Sequence, residues 1–347
     1  MNDTIMLQKP WVSFCMSTYK RPEFLRKQIE GILQQTFTDF EIVISDNDPE
    51  GSGRDALSSF SDNRIRYEVN KENLGMVKSF NHSLAKAKGE YIVMITDDDP
   101  VYPDMLQTLH GLYKEYPGFG VYQGGCEILC YTTLSAKVMR AKVGINSCLS
   151  SDMDLNEVKL YSADEFPHVF FSGKLGSLLL WSVAIVRRDI LLKNGGMPDY
   201  GTEFFTDHAY NVVNCSSQGV VYINRALGHQ AIHGGNFGFT NLKNIDKYKK
   251  IPQSFANWVE DRMKNRNDWP ELKSAMHVFI GRSLVEFSLF IRKSLTDERT
   301  SLTEFSKAVN ETFSLPYLKK WKWKYILMSK FPAFFQFMLQ VKQKIAP

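Results

Sequence analysis

The chain has 347 residues, 44% of them hydrophobic and 23% charged, which excludes a disordered polymer and suits one large domain with additions or two modest ones. A net charge of +4 is too small to indicate nucleic acid, and no nucleic-acid partner is expected. The five cysteines (Cys15, Cys126, Cys130, Cys148, Cys215) are an odd number with no CxxC pair, which indicates neither a disulfide framework nor a zinc site and favours small buried hydrophobes.

The first third alternates strand and helix patterns. Val12–Met16 is an apolar run ending in Ser17-Thr18-Tyr19-Lys20, and a helix follows with Pro22 in its first turn and Leu25, Ile29, Ile32 and Leu33 on one face. Phe40–Ile44 is the next strand, closed by Ser45-Asp46-Asn47-Asp48-Pro49; Asp55–Phe60 reads as a short helix and Arg64–Val69 as a third strand. Met76–Ala87 reads as a helix stopped by Gly89, and Tyr91–Ile95 as a strand covered on both faces. Strand–helix alternation implies an α/β fold, a mainly parallel, Rossmann-like sheet with helices on both faces. Ligands bind such sheets at the strands' carboxyl ends. Ser17, Asp46 and Asp97–Asp99 then share one rim.

The middle is less regular. Val121–Tyr131 suggests a strand or two, 143–176 is loop-rich, Leu178–Val186 reads as a strand and Asp189–Lys193 as a short helix. Phe205–Gln218 reads as a helix and Val220–Ile223 as a strand, and from Asn244 onward the pattern is helical. The expected division is a catalytic unit at 1–243, with halves 11–125 and 126–243, and a helical C-terminal region at 244–347.

The sharpest chemical signal is Thr96-Asp97-Asp98-Asp99 at a buried strand's end. Adjacent carboxylates repel and are costly to fold together unless a cation or several donors compensate. Mg²⁺ or Mn²⁺ fits, since it takes one or two carboxylates and completes its shell with water and substrate phosphates. A solvated acidic turn capping the helix near Pro103 is the plainer reading of three aspartates alone.

Four blocks in order carry a resemblance: Val12–Pro22, Gln34–Asn47, Asn73–Asn81 and Lys88–Asp99. Together they resemble a family-2 inverting glycosyltransferase of the A-type fold, similar to bacterial surface-polysaccharide sugar transferases. The resemblance implies a nucleoside-diphosphate sugar donor, UDP-linked by preference, bound by Ser17, Tyr19, Asp46, Asn73, Gly75, Lys78 and Asp97. It places the metal on Asp98, Asp99 and His233; the run of three aspartates allows two registers, so which of Asp97–Asp99 ligates directly stays open, and a structural role is the alternative for His233. Asp46 is the expected base contact, with an Asx-turn as its alternative. Two departures stand out. Lys20 replaces an asparagine usual after the tyrosine, and Phe80 precedes Asn81 where an arginine is common, so Lys78 or Lys20 is left to face the diphosphate.

Gly201–Tyr210 resembles the family's late acidic motif. The resemblance makes Asp207 the general base, with Glu203 in reserve; a helix cap at Thr206 or Asp207 is the structural alternative. Phe204 and Phe205 offer a sugar platform or core packing.

From Pro316 onward there are seven lysines, no acid, and interleaved Trp321, Trp323, Tyr325, Phe331, Phe334, Phe335 and Phe337. Such a 316–347 segment suits an anionic membrane surface or a helical subdomain with its aromatics inward. The resemblance to surface-polysaccharide transferases implies an acceptor glycan on undecaprenyl diphosphate, as in O-antigen or capsule assembly. Met1–Pro10 lacks a signal-like pattern, and the apolar stretch Met276–Ile291 is broken by His277, Arg282 and Glu286. The expected location is the cytoplasm, peripheral on the inner face of the membrane. Two other functions compete: a non-catalytic nucleotide-sugar-binding subunit, and a nucleotidyltransferase, which the glycine-free first turn disfavours. A dinucleotide dehydrogenase is excluded by the missing GxGxxG.

Overall fold

The order in which the strands pair fixes where a ligand can sit. The computed structural model describes residues 9–139, 141–175, 179–233, 235–236, 241, 244–295 and 299–331. Its first half runs β1 (Val12–Thr18), α1 (Pro22–Leu33), β2 (Phe40–Asp46), α2 (Arg54–Leu57), β3 (Ile65–Val69), α3 (Met76–Lys86), β4 (Tyr91–Thr96) and α4 (Met105–Glu115). The second half adds β5 (Val121–Cys130), α5 (Thr133–Met139), β6 (Gly144–Ser147), β7 (Val158–Tyr161) and α6 (Glu165–Ser172). After these come β8 (Ala184–Arg187), α7 (Arg188–Lys193), α8 (Thr206–Gln218) and β9 (Val220–Ile232). The closing helices are α9 (Ile245–Met263), α10 (Trp269–Ser294), α11 (Arg299–Thr312) and α12 (Lys319–Lys330).

The sheet order is β3-β2-β1-β4-β8-β5-β9-β7, with β6 paired to β5. β2 and β3 go to one side of β1 and β4 to the other, so the order reverses at β1 and opens a crevice beyond the strand ends. The register aligns that rim: Ser17 pairs Ser45 on one side and Thr96 on the other, and Thr18 pairs Asp46. β1, β2 and β4 are buried throughout apart from Ser17 and Thr96, which explains their near-continuous apolar runs. The Pro22 start and the Leu25–Ile29–Ile32 stripe of α1 are as expected.

Beyond β4 the sheet is mixed. The β3-β2-β1-β4 half and the β5–β9 pair are parallel, but β8 joins β4 to β5 antiparallel, and β6 and β7 also run antiparallel to their partners. The expected loop-rich stretch in fact holds β6, β7 and α6. The expected strand at 178–186 narrows to Ala184–Arg187, preceded by a 3-10 turn at Trp181–Val183, with Leu178 outside the described residues. Its upstream apolar residues pack in the core without joining the ladder. The Asp55–Phe60 helix is a single turn, Arg54–Leu57, while the Val220–Ile223 strand continues to Ile232 because β5 pairs it along its length.

The loop after β4 is clamped onto β9. Val101 bridges Gly228, the His229 amide donates to Pro100 O (2.8 Å) and the Tyr102 amide to Leu227 O (2.9 Å). Only glycine fits at 228, where a Cβ would lie 2.7 Å from Pro100 O. Tyr102 Oη adds a hydrogen bond to Glu127 Oε2 (2.6 Å) and contacts His229 Nε2 at 2.9 Å. The three-aspartate segment is therefore held between two rigid strands.

The region from 244 is helical as expected, yet Tyr248, Phe255, Leu284, Phe313 and Tyr325 belong to the same continuous apolar core as β1 and β4. α10 is long and apolar enough by length and composition to cross a membrane, but its Trp269–Leu272–Met276–Ile280–Leu284–Ile291 stripe is buried. On α12, Trp321 packs on Gly281 and Tyr325 is buried, whereas Trp323 is 76% exposed and Phe331 58% exposed. Among the described residues, Trp321 and Tyr325 thus pack inward, while Trp323 and Phe331 face outward. Phe334, Phe335, Phe337, Lys342 and Lys344 lie outside them.

Candidate active site

A cavity of about 850 Å³ opens at the strand-end crevice. At one end it is lined by Ser17, Thr18, Tyr19, Arg21, Asn47, Asn73, Gly75 and Asp97–Asp99, and at the other by Glu203, Phe205, Asp207, His208 and Lys247.

Burial dictates the behaviour of the first end. Asp97 Oδ2 accepts from Thr18 Oγ1 (2.8 Å), and Arg21 Nη1 bridges Asp97 Oδ1 (3.0 Å) and Asp98 Oδ2 (2.7 Å). Arg21 Nη2 donates to Gly235 O (2.5 Å). Burial and then the Asp98 charge push Asp97 up to about 6, against the pull of Arg21 and Thr18. Asp99 is turned toward β9, where Oδ1 accepts from the Ala231 amide (2.9 Å), and burial followed by Asp98 raises it to about 8. His233 Nε2 lies 3.1 Å from Asp98 Oδ2, its ring stacked on Phe24 at 4.7 Å and its Nδ1 accepting from the Gly235 amide (3.2 Å). That tautomer makes Nε2 the donor to Asp98.

The donors available to a divalent ion here are few. Among the described residues, no group of three or more His, Cys, Asp or Glu side chains converges as a metal cage. Asp98 and His233 alone present a carboxylate oxygen and an imidazole nitrogen 3.1 Å apart. Adjacent ligands on an octahedral ion with bonds of about 2.1 Å lie about 3 Å apart, so the pair fits two positions of an Mg²⁺- or Mn²⁺-sized ion. The remaining positions would fall to diphosphate and water. Asp99 is committed to the Ala231 amide, so it is the weakest of the three expected ligands.

Two expected donor contacts are corrected. Asp46 is fully buried and points into its own loop: Oδ1 accepts from the Asp48 amide (3.0 Å), and Oδ2 from the Gly53 amide (2.9 Å) and Tyr67 Oη (2.5 Å). The neighbouring Asn47 faces the cavity, with Oδ1 taking the Leu74 amide (2.8 Å) and Nδ2 donating to Asn73 Oδ1 (2.8 Å). Asp46→Ala is expected to cost about 3 kcal/mol in thermal melts, by orphaning buried donors, while nucleotide affinity by calorimetry stays within about twofold. A tenfold loss of affinity would restore the base-contact role. Lys78 is exposed and absent from the lining, because the α3 stripe of Val77, Phe80 and Leu84 faces inward beside it. Lys20, 53% exposed, approaches Asp48 at 4.0 Å. Among the described residues the cation at the aspartates is Arg21, one residue further along the same turn.

At the other end, Asp207 sits in the first turn of α8, where an N-terminus favours a carboxylate. Its Oδ1 accepts from His208 Nδ1 (2.8 Å). Burial works against both charges, but their mutual attraction wins: Asp207 lies below the usual carboxylate value and His208 above 6.5. Phe205 (5.2 Å), Phe279 (5.6 Å) and Phe170 (6.2 Å) surround the imidazole. Phe205 itself adopts φ +64°, a left-handed conformation rare for a bulky residue. Glu203 Oε1 accepts from Lys247 Nζ (2.7 Å), while its Oε2 is buried with no hydrogen-bond partner among the described residues. In a cavity wall, an orphaned carboxylate oxygen calls for a hydroxyl from a ligand.

Residues 13–127 match the Glycosyl transferase family 2 profile. Over that stretch, about a third of its length, the chain is similar to that family. It is 26% identical over 221 residues to the GalNAc(5)-diNAcBac-PP-undecaprenol beta-1,3-glucosyltransferase of Campylobacter jejuni, covering 63% of each protein. It is also 26% identical over 180 residues to Glycosyltransferase GlyG of Streptococcus pneumoniae, covering 47% of this chain and 60% of that one. The chain thus spans less than two thirds of these relatives' length. Among solved structures, Staphylococcus aureus TarS 1–349 superposes with a TM-score of 0.50 at 12% identity, over 87% of this chain and 91% of that one. The mannosyltransferase PcManGT of Pyrobaculum calidifontis, solved with GDP-Man and Mn²⁺, gives 0.50 at 15% identity, over 94% and 88%. At such identities the likeness speaks to the fold alone, which is the A-type glycosyltransferase fold. The family match ends at residue 127, so Glu203, Asp207 and His233 rest on geometry and on the motif resemblance.

Proposed function

We propose that the protein transfers one sugar, with inversion, from a nucleoside-diphosphate sugar to a hydroxyl of a glycan carried on a lipid diphosphate. UDP is the favoured nucleotide, and bacterial O-antigen or capsule assembly the setting. The carrying observation is a single cavity with an Arg21–Asp97–Asp98 cluster at one end and an Asp207–His208 pair at the other. The name of the Campylobacter relative, which specifies an undecaprenol-linked acceptor, supports the acceptor class.

In this reading Ser17, Tyr19, Asn47, Asn73 and Gly75 surround the nucleotide, and the Gly75 amide, free of any Cβ, lets the backbone come close. Asp98 and His233 would hold Mg²⁺ or Mn²⁺, which supplies charge neutralisation for the departing diphosphate. With Nε2 given to such an ion, the His233 proton would sit on Nδ1 and the Gly235 amide would lose that acceptor. Asp207 takes the proton of the acceptor hydroxyl as that oxygen bonds to the anomeric carbon. The carbon–oxygen bond to the diphosphate breaks on the opposite face, so one displacement inverts the centre without an enzyme nucleophile. Glu203 Oε2 receives a sugar hydroxyl and orients it.

The test is a panel of UDP-, GDP-, CDP- and dTDP-sugars with Mn²⁺ or Mg²⁺, with and without membrane-lipid extract. The expected result is metal-dependent release of nucleotide from one donor, lost in Asp98→Ala. Donor binding without release under every condition would favour a non-catalytic sugar-nucleotide-binding subunit, and absence of binding would overturn the proposal.

A further inference from the structure

The β5–α5–β6 lobe carries a surface that the transferase reading does not use. From Ile128 to Ser151 the chain has no acid, and it contains Lys137, Arg140 and Lys142. In the same segment four large apolar side chains stand out of the fold: Tyr131 at 52% exposure, Leu134 at 69%, Val143 at 56% and Ile145 at 57%. Lys137 and Lys142 are exposed among them. The lobe has its own small core of Cys130, Ala136 and Ile232, so these residues are not the edge of the main core turned outward.

Position gives the surface a meaning. Tyr131 meets the His233 ring edge-on at 6.2 Å, which sets the lobe beside the Asp98–His233 pair. On its other side α5 is tied to α10, where Lys293 Nζ donates to Lys137 O (3.1 Å). α12 packs along the same α10, through Trp321 on Gly281.

We infer that the 131–145 lobe is a docking surface for an anionic lipid bilayer, with Leu134, Val143 and Ile145 entering the interface and Lys137 and Lys142 meeting the headgroups. Exposed apolar side chains beside two exposed lysines, in a segment that carries no acid of its own, are an arrangement that an anionic interface favours. A second copy meeting this face about a two-fold axis would set lysine against lysine. The inference rests on exposure and charge; it shares with the proposed function only the lipid-borne acceptor, which it would bring level with the cavity's aspartate end.

Sedimentation of the full chain with vesicles tests it, using phosphatidylcholine alone and phosphatidylcholine mixed with phosphatidylglycerol. The wild type is expected to pellet with the mixed vesicles only. Leu134→Asp/Ile145→Asp and Lys137→Glu/Lys142→Glu are each expected to weaken binding by about tenfold or more. All four positions are exposed, and circular dichroism and donor hydrolysis in solution should be unchanged, which separates this outcome from failure of the transferase reading. Three results overturn the inference. They are no wild-type binding to mixed vesicles, variant binding equal to wild type with loss only in Trp323→Glu, and a wild-type dimer in solution that the lobe variants dissociate.

Discussion

Asp207→Asn is expected to lower kcat by about 100- to 10,000-fold while leaving the KM for the nucleotide sugar within about twofold. The amide keeps the shape and still accepts from His208 Nδ1, but it cannot take the acceptor's proton. A proportional fall in donor affinity would mean that Asp207 caps α8 and holds the cavity wall, with no part in the proton transfer.

The same pair predicts a pH profile. Around Asp207 stand His208 at 2.8 Å, the Glu203–Lys247 pair in the same wall, and Tyr200, whose hydroxyl donates to Phe204 O. Asp207 lies below its ordinary value and so is ionised throughout pH 5–9, while His208 lies above 6.5. As pH rises through the folded value of His208, the imidazolium discharges, the carboxylate becomes more basic and kcat rises. Stability moves the other way. The His208 contribution is complete below the unfolded value of about 6.5 and is lost as pH rises through the higher folded one. That of Asp207 is present above about pH 4 and is lost as pH falls through its depressed folded value. His208→Asn keeps a donor for Asp207 but cannot titrate, so its kcat profile should be flat where the wild type climbs.

Arg21→Met is expected to destabilise the protein by about 2–3 kcal/mol in EDTA, read by thermal denaturation. It removes the cation that bridges Asp97 and Asp98 among the described residues and leaves buried carboxylates facing one another. Partial exposure of Arg21, 24%, keeps the effect below that of a sealed pair. Mn²⁺ should then raise the melting temperature of the variant more than that of the wild type, because Asp98 Oδ2 no longer has a guanidinium to surrender. A variant as stable as wild type in EDTA would show that solvent alone compensates the cluster.

The N-terminal half of the fold was legible because β1, β2 and β4 are covered on both faces. Each therefore prints an apolar run that stops at a polar turn. The region from β5 to β9 was less so: β6, β7 and β8 are four-residue strands recruited by neighbours, and a ladder that short leaves little periodicity. For the site, position at a strand end could be read but direction could not. Asp46 and Asn47 are adjacent on the same rim, and only the donors of the 48–53 loop decide that the aspartate turns inward and the asparagine out. The resemblance points to Lys78 on α3 or to Lys20 as the cation. Arg21 instead reaches the aspartates from the β1 turn, and a guanidinium long enough to reach two aspartates and Gly235 O leaves no local sequence period to mark it.

The left-handed backbone at Phe205 has a consequence for how this protein can evolve. A bulky residue held at φ +64° stores on the order of 1–3 kcal/mol, and here it swings its ring onto His208 just ahead of the turn that presents Asp207. Glycine at 205 would relax the chain and shed the ring that helps enclose the imidazole. Heat resistance and turnover therefore pull on this residue in opposite directions, and lineages adapting to warmth would have to find their stability elsewhere in the molecule.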